Sequence, residues 1–249
     1  MLKAEVLDGM VISVHHAAHY PIAKDCLEAG LHVLLEKPMT LKATLAHDLH
    51  TRAQRKKREL IIGYPFHYNA ATHHARRWLQ SGWLGRIQYL NCSFASQVHE
   101  FYRGNDQAYD RYPVIRPGQV YSDPKRSGGG QGHLQVTHSA ALMFYVTGLV
   151  PESVTAFMDN WDVPVDLVNA IAVRFQPLAG HSAVGVLAST GNVGVGGQTE
   201  LTLHVYCEQG LLKLDQTTVR SLCAPSQRGR KRIWPSQTGR DLPARRARQ

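Results

Sequence analysis

The stretch "VISVHHAAHYPIAKDCLEAGLHVLLEKP", residues 11–38, decides the fold. It begins inside the apolar, β-branched run Met10 to Val14. A segment of helical spacing follows from Ala17 to Ala29, ended by Gly30, and a second apolar run spans His32 to Leu35. Strand, helix and strand in that order predict a parallel pair joined by a crossover helix. The second strand is apolar on both faces, as expected of a parallel strand covered by helices on each side. Glu36, Lys37 and Pro38 follow it directly. In an open parallel sheet, ligands bind in the crevice beyond the carboxyl ends of the strands, so a lysine there is aimed at a cofactor or substrate. Pro38 fixes the turn and biases Lys37 toward an extended backbone.

Downstream, Lys42 to Lys57 reads as a helix, Leu60 to Tyr64 as a third strand and Ala71 to Gln80 as a helix stopped by Ser81-Gly82. This alternation predicts right-handed crossovers. After Gly85 the pattern changes. Arg86 to Val98 alternates like a strand with one exposed face, residues 100–127 read as a polar loop, and Gln131 to Tyr145 reads as one helix. Four strand-like runs follow, Ser153 to Trp161, Leu167 to Phe175, Ser182 to Ser189 and Thr199 to Tyr206, with Gly- or Pro-containing turns between them. They predict an antiparallel sheet. The expected fold class is thus α/β plus α+β, with a first domain over residues 1–66, a second over 67–219 and a basic tail over 220–249.

The tail carries eight of the nine net positive charges, so the basic pI says little about the folded part. Its Arg, Pro and Ser composition cannot offset ordering entropy by burial, and disorder is expected there. Lone Trp234 offers almost no stacking surface, so nucleic acid is not the expected partner. Cys26, Cys92, Cys207 and Cys223 form no CxxC pair and read as reduced, structural thiols. No window resembles a membrane span or signal peptide, and a cytoplasmic location is the expectation. His15, His16, His19, His73 and His74 lack carboxylates at ligand spacing, so no metal site is expected.

Glu36-Lys37-Pro38 has company in "GWLGRIQYL" (82–90) and "GGGQGHLQVTHSAALMFYVTG" (128–148). In this order the motifs resemble the glucose-fructose oxidoreductase and inositol dehydrogenase family, from about residue 8 to about residue 215. The resemblance implies a partial Rossmann-type parallel sheet, then an open, mostly antiparallel sheet domain with helices on one face. It also implies an NAD(P)-dependent oxidoreductase acting on a hydroxyl carbon of a sugar, polyol or related compound, and pairing into a homo-oligomer. Matched motif to motif, Lys37 lies by the nicotinamide and substrate, and His138 takes or gives the hydroxyl proton. An imidazole with an ordinary pKa near 6.5 suits that work, and a nearby ammonium hydrogen-bonds the substrate oxygen.

Gln135, three before His138 on the expected helix, shares its face and joins Tyr68 and Asn69 as a candidate substrate contact. Ser13, His15, His16, His19 and the Glu36-Lys37-Pro38 turn are the candidate cofactor contacts. His133 reads as a solvated or capping histidine that points elsewhere. The chain departs from the family pattern at Leu134, where an aspartate is usual, and at His67, where an arginine is usual. A G-x-G-x-x-G between a first strand and helix is absent, and Gly194 to Gly197 is rejected because a strand-like run follows it. The expectation is a chain starting at the fourth Rossmann strand, with roughly 60 residues, two βαβ steps sharing a strand, lying upstream. A shifted reading frame or a partial gene would explain both irregular ends. A non-catalytic relative that binds a sugar or a partner protein is the alternative reading.

Overall fold

The computed structural model describes residues 6–105, 119–194, 197–218 and 220–225. The chain forms two compact units, the first from residues 1–64, 97–137 and 158–169, the second from 65–96, 138–157 and 170–249. The chain first crosses between the units at residues 64–65 and returns twice to the first.

In the first unit, β1 (Gly9–Ile12), β2 (His32–Leu35) and β3 (Leu60–Ile62) form a parallel sheet in that order. Helices α1 (His19–Glu28) and α2 (Ala43–Lys56) connect them. Their apolar stripes meet the sheet in a core that includes Ile12, Leu27, Val33, Leu35 and Leu49. The expectation of cover on both faces is corrected. Successive right-handed crossovers in the order β1-β2-β3 put both helices on one side. The cross-strand row Val11, Leu34 and Ile61 is left 70%, 42% and 45% exposed on the other.

Also in this unit are the short helices α4 (His99–Arg103), α5 (Pro124–Ser127) and α6 (Gln131–Leu134). The helix expected to run unbroken from Gln131 to Tyr145 is interrupted. Gln135, at φ −113° and ψ −40°, separates α6 from α7 (Val136–Thr147).

The second unit is built on seven strands in the order β10-β9-β8-β4-β7-β6-β5. These are β4 (Ile87–Ala95), β5 (Pro151–Asp159), β6 (Val168–Phe175), β7 (Val184–Thr190), β8 (Glu200–Cys207), β9 (Gly210–Asp215) and β10 (Arg220–Pro225). The β4–β8, β8–β9 and β9–β10 pairs are antiparallel and β4–β7 is parallel. Buried and open residues alternate along β7 and β8, the period-2 signature of a sheet covered on one face. Leu90, Cys92, Leu187, Leu203 and Val205 lie on the covered side. Residues 220–225, expected to be disordered, continue the sheet as β10, because backbone pairing to β9 does not require an apolar pattern. Residues 226–249 lie outside the described residues.

Candidate active site

The carboxyl ends of β1 and β2 are tied together by His19. This ring is fully buried, with Nδ1 2.8 Å from Pro38 O and Nε2 3.1 Å from Val14 O. It braces the two turns, with no surface left for the cofactor contact expected of it. His16 is also buried and donates from Nδ1 to Ser127 O at 2.9 Å, which fixes the end of α5. Burial lowers its pKa to about 4, and His19, Lys37 and His133 add to the effect, so the ring is neutral near neutral pH. Ser13 and Glu36 stay exposed at the strand ends, and His15 Nδ1 is buried there with no partner among the described residues.

Lys37 precedes a cis peptide to Pro38, and its backbone N–H donates to the Glu36 carboxylate at 3.1 Å. Its Nζ donates to Leu134 O at 3.1 Å. Burial lowers the ammonium's pKa from the ordinary lysine range, and Glu36 partly opposes that. The position where the family's aspartate is usual thus serves Lys37 through its main chain.

A carboxylate does reach this region, from Asp166. Its Oδ1 accepts from Gly130 N at 2.8 Å and its Oδ2 from Gly132 N at 2.5 Å, while its carbonyl accepts from Gln131 N at 2.8 Å. A Cβ at Gly130 would run into the Asp166 backbone, so the close approach that the glycines permit is to this turn. The expectation that His133 is a solvated bystander is corrected. Its ring lies 6.2 Å from His16, and Nε2 is buried with no partner among the described residues. Burial lowers its pKa, Lys37 adds to this and Asp166 opposes it. Continuous helical phase would have turned residue 133 away, but the break at Gln135 resets that phase.

His133 also lines a cavity of about 360 Å³ with Pro38, Leu41, Tyr64 and Thr137. The Tyr64 hydroxyl meets Thr137 Oγ1 at 2.6 Å. Tyr121, 6.1 Å from His16, has its phenol pKa raised by burial and by Glu36. Gln135 is half-buried at the junction of the two helices.

In the second unit, His138, in the first turn of α7, is 8% exposed and edge-on to Phe66 at 5.4 Å and Phe94 at 5.9 Å. Tyr68 is exposed and available to a ligand. The amide of Asn69 donates to Gln216 Oε1 at 2.6 Å, and Gln216 Nε2 donates to Thr72 Oγ1 at 2.6 Å. That chain of bonds gives Asn69 a structural task. His67 stacks on Tyr145. No cluster of three His, Cys, Asp or Glu side chains that could hold a metal occurs among the described residues. Among them, too, no helix is long and apolar enough to cross a membrane.

Residues 1–64 match an oxidoreductase family with an NAD-binding Rossmann fold, and residues 72–213 match the GFO/IDH/MocA C-terminal domain. The chain is 34% identical over 162 residues to a 1-carboxy-3-chloro-3,4-dihydroxycyclohexa-1,5-diene dehydrogenase of Comamonas testosteroni, covering 65% of this chain and 37% of that protein. It is 28% identical over 200 residues to an uncharacterized oxidoreductase of Schizosaccharomyces pombe, covering 78% and 50%. It thus spans half or less of the length of these relatives. Among solved structures, levoglucosan dehydrogenase with NADH and levoglucosan aligns with a TM-score of 0.79 at 18% identity, over 95% of this chain and 62% of that one. An inositol dehydrogenase homolog complexed with NAD+ from Azotobacter vinelandii aligns with a TM-score of 0.77 at 19% identity, over 92% and 56%.

Proposed function

Because the chain belongs to the GFO/IDH/MocA oxidoreductase family, we propose that it serves hydride transfer between NAD or NADP and a hydroxyl carbon of a sugar, polyol or related compound. The observation that carries this reading is the Lys37 ammonium, half-buried at the carboxyl end of β2 and held by Leu134 O. A desolvated ammonium at that place interacts more strongly with a substrate oxygen than one in water. The residues present suit the nicotinamide end of a dinucleotide. Ser13, Glu36 and Lys37 would hold it, and the unpartnered His15 Nδ1 offers a further contact. When bound, the nicotinamide supplies the hydride acceptor or donor.

The chain's own residues handle position and protons. His138 takes the hydroxyl proton during oxidation and returns it during reduction, work suited to an imidazole. Lys37 donates a hydrogen bond to a substrate oxygen and favours negative charge there. His16 and His19 hold the two turns that present Lys37. A homo-oligomer joined through the uncovered sheet face completes the reading.

The test is to titrate the protein with NADH and NADPH by fluorescence and to follow turnover over a panel of sugars and polyols. His138→Ala is expected to lower turnover by about 10²- to 10⁴-fold and to leave cofactor affinity nearly unchanged. Equal loss of both would remove His138 from proton transfer. Cofactor binding with no turnover across the panel would favour a relative that binds a sugar-like ligand without acting on it.

A further inference from the structure

On the second unit, α3 (Ala70–Gln80) and α7 gather a cluster that the redox reading does not use. The Tyr145 ring is its centre. His67 lies nearly parallel to it at 4.4 Å between centroids, and the Arg76 guanidinium carbon sits 4.3 Å from the ring centre. The Tyr145 hydroxyl is 3.3 Å from His73 Nδ1. One guanidinium, two imidazoles and a phenol therefore share a patch that is half-buried at Arg76 and Tyr145 and exposed at His73.

Among the described residues neither Arg76 nor His73 is paired with a carboxylate. The sequence contains no Asp or Glu from residue 60 to 99, nor from 124 to 151, so both helices that build the patch are free of acidic residues. Among the described residues Arg76 makes no ion pair. Burial lowers the pKa of His67, a hydrogen bond to the Ala141 backbone opposes that, and Arg76 and His73 add to the lowering. Arg76 is thus a half-buried cation with no ion-pair partner among the described residues, a place that favours an anion. Arg76 is also presented for one. A guanidinium laid on an aromatic face keeps its in-plane N–H fork open, and that fork matches the two oxygens of a phosphate or carboxylate. According to the His73 tautomer, either the Tyr145 hydroxyl or the second nitrogen of His73 adds a donor at the same edge.

The patch is also placed relative to the proposed chemistry. Residues 138, 141 or 142 and 145 share one face of α7, and seven residues of helix span about 10 Å. Phe66 packs on His138 while the next residue, His67, packs on Tyr145. The patch and His138 are thus about two helical turns apart on one element.

We propose that Arg76, His73 and Tyr145, with His67 stacked on the phenol, form an oxyanion subsite, and that the alcohol handled at His138 carries a phosphate or carboxylate group. The subsite stands on its own geometry, whereas its link to the substrate rests on the redox reading.

The experiment titrates the protein at low ionic strength with inorganic pyrophosphate, inorganic phosphate and acetate. It follows heat of binding and the imidazole signals of His67 and His73. Saturable binding that shifts both signals is expected, and the better of phosphate and acetate identifies the group. Arg76→Ala should weaken it about tenfold or more, while Arg77→Ala, an exposed neighbour on the same helix, should have little effect. Arg76→Lys, which keeps the charge and loses the fork, should fall between. Circular dichroism and the melting temperature establish that each variant is folded. Equal weakening by the Arg76 and Arg77 changes, or no saturation, would overturn the subsite in favour of diffuse attraction.

A kinetic arm separates this result from the redox reading. Arg76→Ala should raise KM for phosphorylated or carboxylated alcohols and leave kcat/KM for neutral ones unchanged. Loss on neutral alcohols as well would sever the link to the substrate. Arg76-dependent binding with no turnover of any alcohol would sink the redox reading and leave the anion site standing.

Discussion

His16 and Lys37 depend on each other through charge. The buried His16 ring titrates at about 4 in the folded chain and near 6.5 once unfolded, so between those values the unfolded chain binds the extra proton. Stability therefore rises with pH across that window and is lost as pH falls through it. The full loss attributable to His16 is about 3 kcal/mol by pH 4, and urea unfolding at pH 7 and pH 4.5 should show most of it. In His16→Asn, whose amide can still donate to Ser127 O, that acid-side slope should flatten. An unchanged slope would mean that the ring charges without cost. Lys37 acts on His16 and His133 in the same direction, lowering both pKa values. Removing the ammonium in Lys37→Met should move both imidazole titrations upward, read by proton NMR, and unmoved rings would show that burial alone sets them.

Helix α6 has four residues, too few to hold itself in water, so its position comes from outside. Asp166 supplies it by accepting from the Gly130 and Gly132 amides. Asp166→Ala leaves those donors unpaired and should cost about 1–3 kcal/mol of unfolding free energy. The same change should loosen the Leu134 carbonyl that holds Lys37, raising hydrogen exchange in residues 130–135. A protected segment in the variant would assign the anchoring to other contacts. This element also shows the limit of sequence reading. Glu36-Lys37-Pro38, strands β1 to β8 and the first two helices were legible because each signal is local, an apolar period or a turn residue. Asp166 was not, since it acts on residues more than 30 positions away and "VPVDL" carries no motif of its own. His133 was read with the wrong phase because nothing around Gln135 announces a break. His16 and His19 were expected as cofactor contacts, and only their burial and hydrogen bonds reveal the bracing role.

At the scale of the whole molecule, two surfaces stay uncovered among the described residues: the row Val11, Leu34, Ile61 in the first unit and the outer face of the seven-stranded sheet in the second. The one-sided cover of the larger sheet was legible in its alternation, whereas the bare face of the smaller sheet was not. A fully apolar strand such as β2 reads as buried on both sides whether or not anything lies there. The larger face carries Tyr89 and Tyr206, with rings 5.5 Å apart, beside the exposed Val184. Seven strands about 4.8 Å apart and roughly 20–25 Å long present about 600–700 Å². That is close to the roughly 800 Å² per partner of a standard protein interface. Sedimentation velocity should therefore show a species heavier than the 27.7 kDa chain. The double change Val184→Glu and Tyr206→Glu should convert it to a monomer, because paired carboxylates on each copy repel across a symmetric contact. Both side chains point away from the helix-covered core, so the melting of the isolated chain should barely change. A chain that sediments as a monomer before any substitution would leave the sheet face open to solvent and remove this contact from the functional picture.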